Sequence, residues 1–152
     1  MLDRLLSTAS LPLLERQAVW GEVRHGVLAG NLANIDTPGF VPRDLDAGAF
    51  RDALARSVAA RTPGTAGAAG PLSRYPGPHA PPPADPLKAG VPDGLLAAAP
   101  RDPGGVVFQD DADRSVEREV LALTRNAMQR RAAVQLISAQ LAMLQTAVGG
   151  RA

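Results

Sequence analysis

SVEREVLALTRNAMQRRAAVQLISAQLAMLQTAV, residues 115–148, carries an apolar repeat along its whole length. Val116, Val120, Leu123, Ala127, Val134, Ile137, Leu141, Leu144 and Val148 alternate four and three residues apart, the spacing of coiled-coil seam positions. Arg130 is the one seam position that is not apolar. The spacing predicts one long helix of roughly 50 Å at about 1.5 Å per residue. A helix of that length needs a partner along its seam.

The charges agree with this direction of the helix. Asp110, Asp111, Asp113, Glu117 and Glu119 crowd its start, and Arg125, Arg130, Arg131 and Arg151 follow. Acids at the N-terminal end and bases beyond suit the helix dipole, and an Asp of the first group is placed to cap the free N–H groups. Gly149 and Gly150 are the expected stop.

Working back from this helix, residues 62–105 hold 19 Gly or Pro in 44, including Pro81, Pro82 and Pro83. Such a composition favours a flexible, partly polyproline linker. Within it, a helical turn is expected at Leu95–Ala99 and a short strand at Val106, Val107 and Phe108. The predicted division is therefore 1–60, 61–109 and 110–152, with the two terminal segments forming one discontinuous domain. The fold class is mainly α: paired N- and C-terminal helices in a coiled-coil-like layer, with an extended or disordered middle.

The N-terminal partner helix starts near Leu11 or Pro12, after a possible amphipathic turn in Met1–Ser10 through Leu2, Leu5 and Leu6. Leu13, Trp20, Val23, Val27 and Leu28 recur at helical spacing and are the expected packing face. Gly21, Gly26 and Gly30 lie four or five residues apart, where small residues would let a neighbouring helix come close. The helix ends in NLANIDTPGF, residues 31–40. There Asn34 is expected as a left-handed C-terminal residue, and Thr37, Pro38, Gly39 and Phe40 read as a type II turn. Val41–Asp46 follows as extended chain, then a short helix over Asp46–Ala60 with Phe50, Leu54 and Val58 on one face.

Composition narrows the function. The net charge is +1, with 16 basic and 15 acidic residues, so no basic face recommends nucleic acid. No cysteine is present, which removes disulfides and thiol chemistry. No run of about 18 apolar residues suggests a membrane span, and the N-terminus lacks the pattern of a cleavable signal peptide. No GxSxG, P-loop or HExxH motif occurs, so neither an enzyme, a small-molecule substrate nor a cofactor is expected.

Five side chains admit two readings each. His25 suits a surface or contact role better than metal ligation, since no ligand set accompanies it. Asp44 and Asp46 fit solvated or salt-bridged carboxylates better than a calcium site. Trp20 is either a binding hot spot or packing. Arg130 either fixes register through a carboxylate or packs its stem and extends its head to water.

The decapeptide Asn31, Leu32, Ala33, Asn34, Ile35, Asp36, Thr37, Pro38, Gly39, Phe40 resembles the signature shared by flagellar rod and hook axial proteins. The opening MLDRLL, Val41–Asp46 and RNAMQRRAAVQLISAQLAMLQTAV (125–148) extend the likeness, which is to the FlgB family of proximal rod proteins. The resemblance implies a structural subunit exported without a cleaved signal and assembled helically into the periplasm-spanning rod of the basal body. Its implied partners are other copies of itself, other flagellar rod proteins, the FliE junction and export-gate proteins. From the residues alone, the competing reading is a peripheral membrane or regulatory helical adaptor, although Glu15 and Glu22 accompany Arg16 and Arg24 where a membrane helix would carry a basic belt.

Overall fold

A computed structural model describes residues 10–61, 85–101 and 115–150. Met1–Ala9, the proline run, Tyr75, His79, the Val106–Phe108 stretch and Asp110, Asp111 and Asp113 lie outside the described residues. The chain order is α1 (Leu11–Ala33), β1 (Arg43–Asp44), α2 (Ala47–Arg61), α3 (Asp93–Leu96), β2 (Ala99–Pro100) and α4 (Val116–Gly149). The fold is mainly helical, and the two long helices α1 and α4 pack together.

Their pairing is antiparallel. Asn31 near the end of α1 meets Glu119 at the start of α4, Gly21 meets Asn126, and Ser10 meets Gln140. Pro12 sits in the first turn of α1, where its missing N–H costs nothing, and Leu14 N–H donates to Ser10 O at 2.9 Å. In α4, Glu117 and Glu119 occupy the first turn; Ser115 is the N-cap and makes no side-chain cap bond. The favourable interaction of those acids with the helix dipole therefore stands in place of a capping hydrogen bond.

On the other side of α1 lies a small core of Trp20, Leu45, Phe50, Ala53 and Leu87, with Val27, Leu54, Val91, Leu95 and Leu96 packed around it. The rings of Trp20 and Phe50 stack at 4.6 Å, and the indole Nε1–H donates to Leu95 O at 3.2 Å. Packing within the chain accounts for Trp20, which is 2% exposed. Arg24 lies over the same indole at 5.2 Å and donates to both oxygens of Asp44 at 2.7 Å. The ion pair and desolvation act on Arg24 in opposite directions, and the bond to Asp44 prevails, raising its pKa. Asp44 is thus salt-bridged, and Asp46 accepts from Ala49 N–H at 2.8 Å and caps α2.

Residues 85–101 correct the expectation of a free linker. Leu87 is fully buried, α3 covers the core, and β2 pairs antiparallel with β1, Arg43 opposite Pro100 and Asp44 opposite Ala99. Arg101 N–H continues the ladder to Pro42 O at 2.8 Å. The average Gly and Pro content concealed four well-spaced apolar anchors, Leu87, Val91, Leu95 and Leu96. Pro92, extended at φ −60° and ψ 144°, forms the turn into α3 rather than unstructured chain.

Four smaller expectations also change. Asn34 caps α1 at φ −106°, outside the left-handed region, and its amide donates to Gly30 O at 2.8 Å; that side-chain bond satisfies a carbonyl without the left-handed turn. In α2 the inward line is Phe50, Ala53 and Ser57, leaving Val58 exposed, because the true burial repeat is three then four. Val23 of α1 is exposed, since Trp20 and Val27 take the core side. Of the three glycines, only Gly21 faces α4; a Cβ there would meet Arg130 and Asn126 at ordinary contact distance, and Gly26 and Gly30 face open space.

The Thr37–Phe40 turn is closed by Phe40 N–H to Thr37 O at 3.1 Å, with Gly39 at φ 71° as a type II turn requires. Gly90 also has positive φ, 140°. Gly39→Ala should cost about 1–2 kcal/mol in a urea melt, because a Cβ disfavours the left-handed region. Gly94→Ala, with no neighbour within 4 Å and no positive φ, is the matched control and should not destabilise.

Asp85 anchors the middle segment. Burial alone would raise its pKa, but the nearby Ser57 hydroxyl and the hydrogen bonds from Arg61 at 2.7 Å and Leu87 N–H at 3.0 Å outweigh that and hold it low. Its contribution is complete above the ordinary aspartate value of about 3.9 and disappears as pH falls through the lower folded value. Asp85→Asn should therefore be less stable than the parent at neutral pH, with the difference shrinking on acidification in paired thermal melts.

Candidate functional site

The face that α4 turns toward α1 is a polar variant of the expected seam. Glu119, Asn126 and Ala133, seven residues apart, are 2%, 1% and 3% exposed, and Gln140 extends the row to the Ser10 hydroxyl. The second row of the contact is Leu123, Arg130, Ile137 and Leu144, all half-buried. Those four belong to the expected seam. The other expected row is turned toward solvent: Val120 is 44% exposed, Val134 49% and Leu141 46%, while Ala127 is half-buried; Val116, at the start of the contact row, is also 44% exposed. The side chain of Val148 lies outside the description.

The displacement amounts to a rotation of α4 by about 50°, one heptad row. Its cause is the polarity of α1 on that side. Gly21 offers a bare backbone carbonyl, which accepts from the Asn126 amide at 2.8 Å. Glu22 pairs with Arg130, the interpretation in which the seam arginine sets register through a carboxylate. Asn31 requires a polar partner at the end of the helix. Turning the Val120, Val134 and Leu141 row inward in place of the Glu119 and Asn126 row would take these partners from Gly21 and Asn31, while Arg130 would stay in the contact.

Asn31 is the residue of the decapeptide with the clearest role. Its Nδ2 donates to Arg43 O at 2.7 Å and to Glu119 Oε2 at 3.2 Å, and its Oδ1 accepts from Arg43 N–H at 3.0 Å. Arg101 donates to the other oxygen of Glu119. One buried carboxylate and one buried amide thus join α1, β1, α4 and the end of β2. Within the signature, Leu32 and Phe40 are half-buried, whereas Ala33, Asn34, Thr37, Pro38 and Gly39 are exposed. Of the expected α1 packing residues, Leu13, Trp20 and Leu28 are buried and Val27 lies against the core.

Sequence reasoning missed Glu119, Asn126, Arg101, Leu45 and Leu87. The first two do leave a signal, a seven-residue repeat with Ala133 and Gln140, which a search for apolar periodicity passes over. On the flank of the helix pair away from the core, an open groove of about 530 Å³ is lined by Ala18, Glu22, Arg130, Arg131, Val134 and Gln135. Among the described residues no group of three or more His, Cys, Asp or Glu is placed to hold a metal, and no helix is long and apolar enough to cross a membrane. His25 Nδ1 is buried without a hydrogen-bond partner.

No family model, curated protein or solved structure matches the chain.

The polar junction makes an unequal double-mutant prediction. Arg101→Met leaves the Glu119 carboxylate buried without its cation and should cost about 3–5 kcal/mol in urea unfolding. Arg101→Met combined with Glu119→Leu should recover most of that loss, because no uncompensated charge remains.

Proposed function

We propose that this chain is a non-enzymatic structural subunit of the proximal rod of the bacterial flagellar basal body, of the FlgB kind, assembling helically through its terminal helices. The observation that carries this reading is the uncovered apolar row of α4, Val120, Val134 and Leu141, running beside a completed intrachain contact. A helix whose inner face is satisfied and whose adjacent face is still apolar is suited to packing between neighbours. The NLANIDTPGF end of α1 supports the same reading, since its Asn31 and its type II turn give that signature a definite structural task.

On this reading the subunit reaches the rod through the flagellar export apparatus without a cleaved signal. Its neighbours are further copies, other rod proteins, the FliE junction and the export-gate proteins. Transmission of torque asks for a stiff helical layer rather than for a reactive group. The α1–α4 pair supplies one, locked at Asn31, Asn126 and Arg130.

The test separates folding from assembly at adjacent positions. Val134→Asp places its charge in water and should change monomer stability by no more than about 0.5 kcal/mol, while preventing recovery of a tagged copy with purified basal bodies. Ala133→Asp, one residue away and 3% exposed, should unfold or strongly destabilise the monomer itself. A parent chain that never co-purifies with basal bodies removes the rod reading. Normal recovery of Val134→Asp removes the apolar row from it.

A further inference from the structure

The uncovered row can be assigned an occupant and a register. Val120, Ala127, Val134 and Leu141 repeat every seven residues, so a parallel copy of α4 brings like row to like row whenever it is displaced by whole heptads. The neighbouring row, Glu117, Thr124, Arg131 and Ser138, is exposed and distinguishes between those displacements. With no displacement, Glu117 faces Glu117 and Arg131 faces Arg131, which is repulsive twice over. One heptad sets Thr124 opposite each charge. Two heptads set Glu117 of one copy opposite Arg131 of the other.

We propose that α4 binds α4 of a second copy in parallel, displaced by two heptads, with Val120 against Val134, Ala127 against Leu141 and Glu117 paired with Arg131. The displacement is fourteen residues, or about 21 Å along the helix. Two further observations fit this register. Arg130 is already neutralised by Glu22, so Arg131 is the charge that the groove beside Val134 and Gln135 leaves for a partner. The surface is also continuous with the established α1–α4 contact, because Leu123 and Ile137 line both. The first half of the row serves one neighbour and the second half the other, so the contact is head to tail and does not close on itself. An antiparallel pair can also join Glu117 to Arg131, but it sets Val120 beside Met128 and leaves Val134 and Leu141 uncovered.

The proposal rests on the self-assembly reading, and the absence of cysteine makes it directly testable. Val120→Cys and Val134→Cys full-length chains are mixed and mildly oxidised. The expected result is a disulfide-linked pair from the mixture, well above the yield of either chain alone. Dominant linkage of Val120→Cys with itself, with Ala127→Cys or with Met128→Cys would overturn the two-heptad register. So would linkage no greater than that of an Ala139→Cys control on the opposite side of α4. Glu117→Arg in the Val120→Cys chain and Arg131→Glu in the Val134→Cys chain should each alone lower the mixed yield about tenfold, the effect of roughly 1.4 kcal/mol, and the two exchanges together across the pair should restore it. If the single exchanges have no effect, or the double exchange gives no recovery, the charge pair is refuted. A chain that co-purifies with basal bodies but cross-links in another register loses this inference and keeps the rod reading; one that does neither loses both.

Discussion

Glu119 carries a carboxylate at 2% exposure, and most of the architecture follows from what that burial demands. A carboxylate removed from water costs several kcal/mol unless cation and hydrogen-bond donors surround it. Arg101 and Asn31 meet the demand from opposite directions, one from beyond β2 and the other from the last turns of α1. Neither donor is in place unless its own element is. Asn31 is oriented by two bonds to the Arg43 backbone, and Arg101 is aligned by its N–H on Pro42 O. The helix pair, the two-stranded ladder and the middle segment therefore stand or fall together, although little apolar contact links the ladder to α4.

The same logic explains why a chain that is 45% hydrophobic by composition puts polar groups into its longest contact. A uniformly apolar α1–α4 seam would tolerate sliding by a heptad with little penalty. A buried Asn126 on the Gly21 carbonyl does not, since a slip strands both groups; the Arg130–Glu22 pair, largely open to water, adds little. Asn126 even leaves its Oδ1 without a partner, a local cost accepted within an otherwise specific register. Stability is given up for alignment, and the apolar residues spared from the inner seam become available outside it.

How much of this was legible in the sequence differs by element. The α4 boundaries, the Pro12 start of α1 and the glycine turn at Gly39 follow from strong local rules, and the structure has them as expected. The apolar stripe of α4 was legible as well, but not which half of it the chain covers for itself. Periodicity weighs a helix by its own residues, whereas the rotation of α4 is set by Gly21 and Asn31 on another helix. The folded part of the middle was hidden for a different reason. Leu87 and Leu95 matter because Trp20 and Phe50 pack with them; Leu87 O meets Arg16 across 71 residues and Leu95 O meets Trp20 across 75, separations that no local window contains.

The rotation of α4 decides what the surface can do. Had both expected rows faced α1, Val120, Val134 and Leu141 would have been covered by the intrachain contact and closed to any partner. Turned by one row, the helix keeps Leu123, Ile137 and Leu144 for folding and exposes Val120, Val134 and Leu141 for contact. Folding and association then draw on adjacent rows of one rigid element. The charge pattern beside the exposed row resolves the ambiguity that a heptad repeat always leaves, since repeating valines recognise any whole-heptad shift and Glu117 with Arg131 favours one. In the proposed head-to-tail array each new copy would meet a surface already straightened by the α1–α4 lock, so less conformational freedom would be lost on addition than two isolated helices would lose. On the proposed assembly, the polar seam within the chain would thereby strengthen the apolar seam between copies that shares its edge.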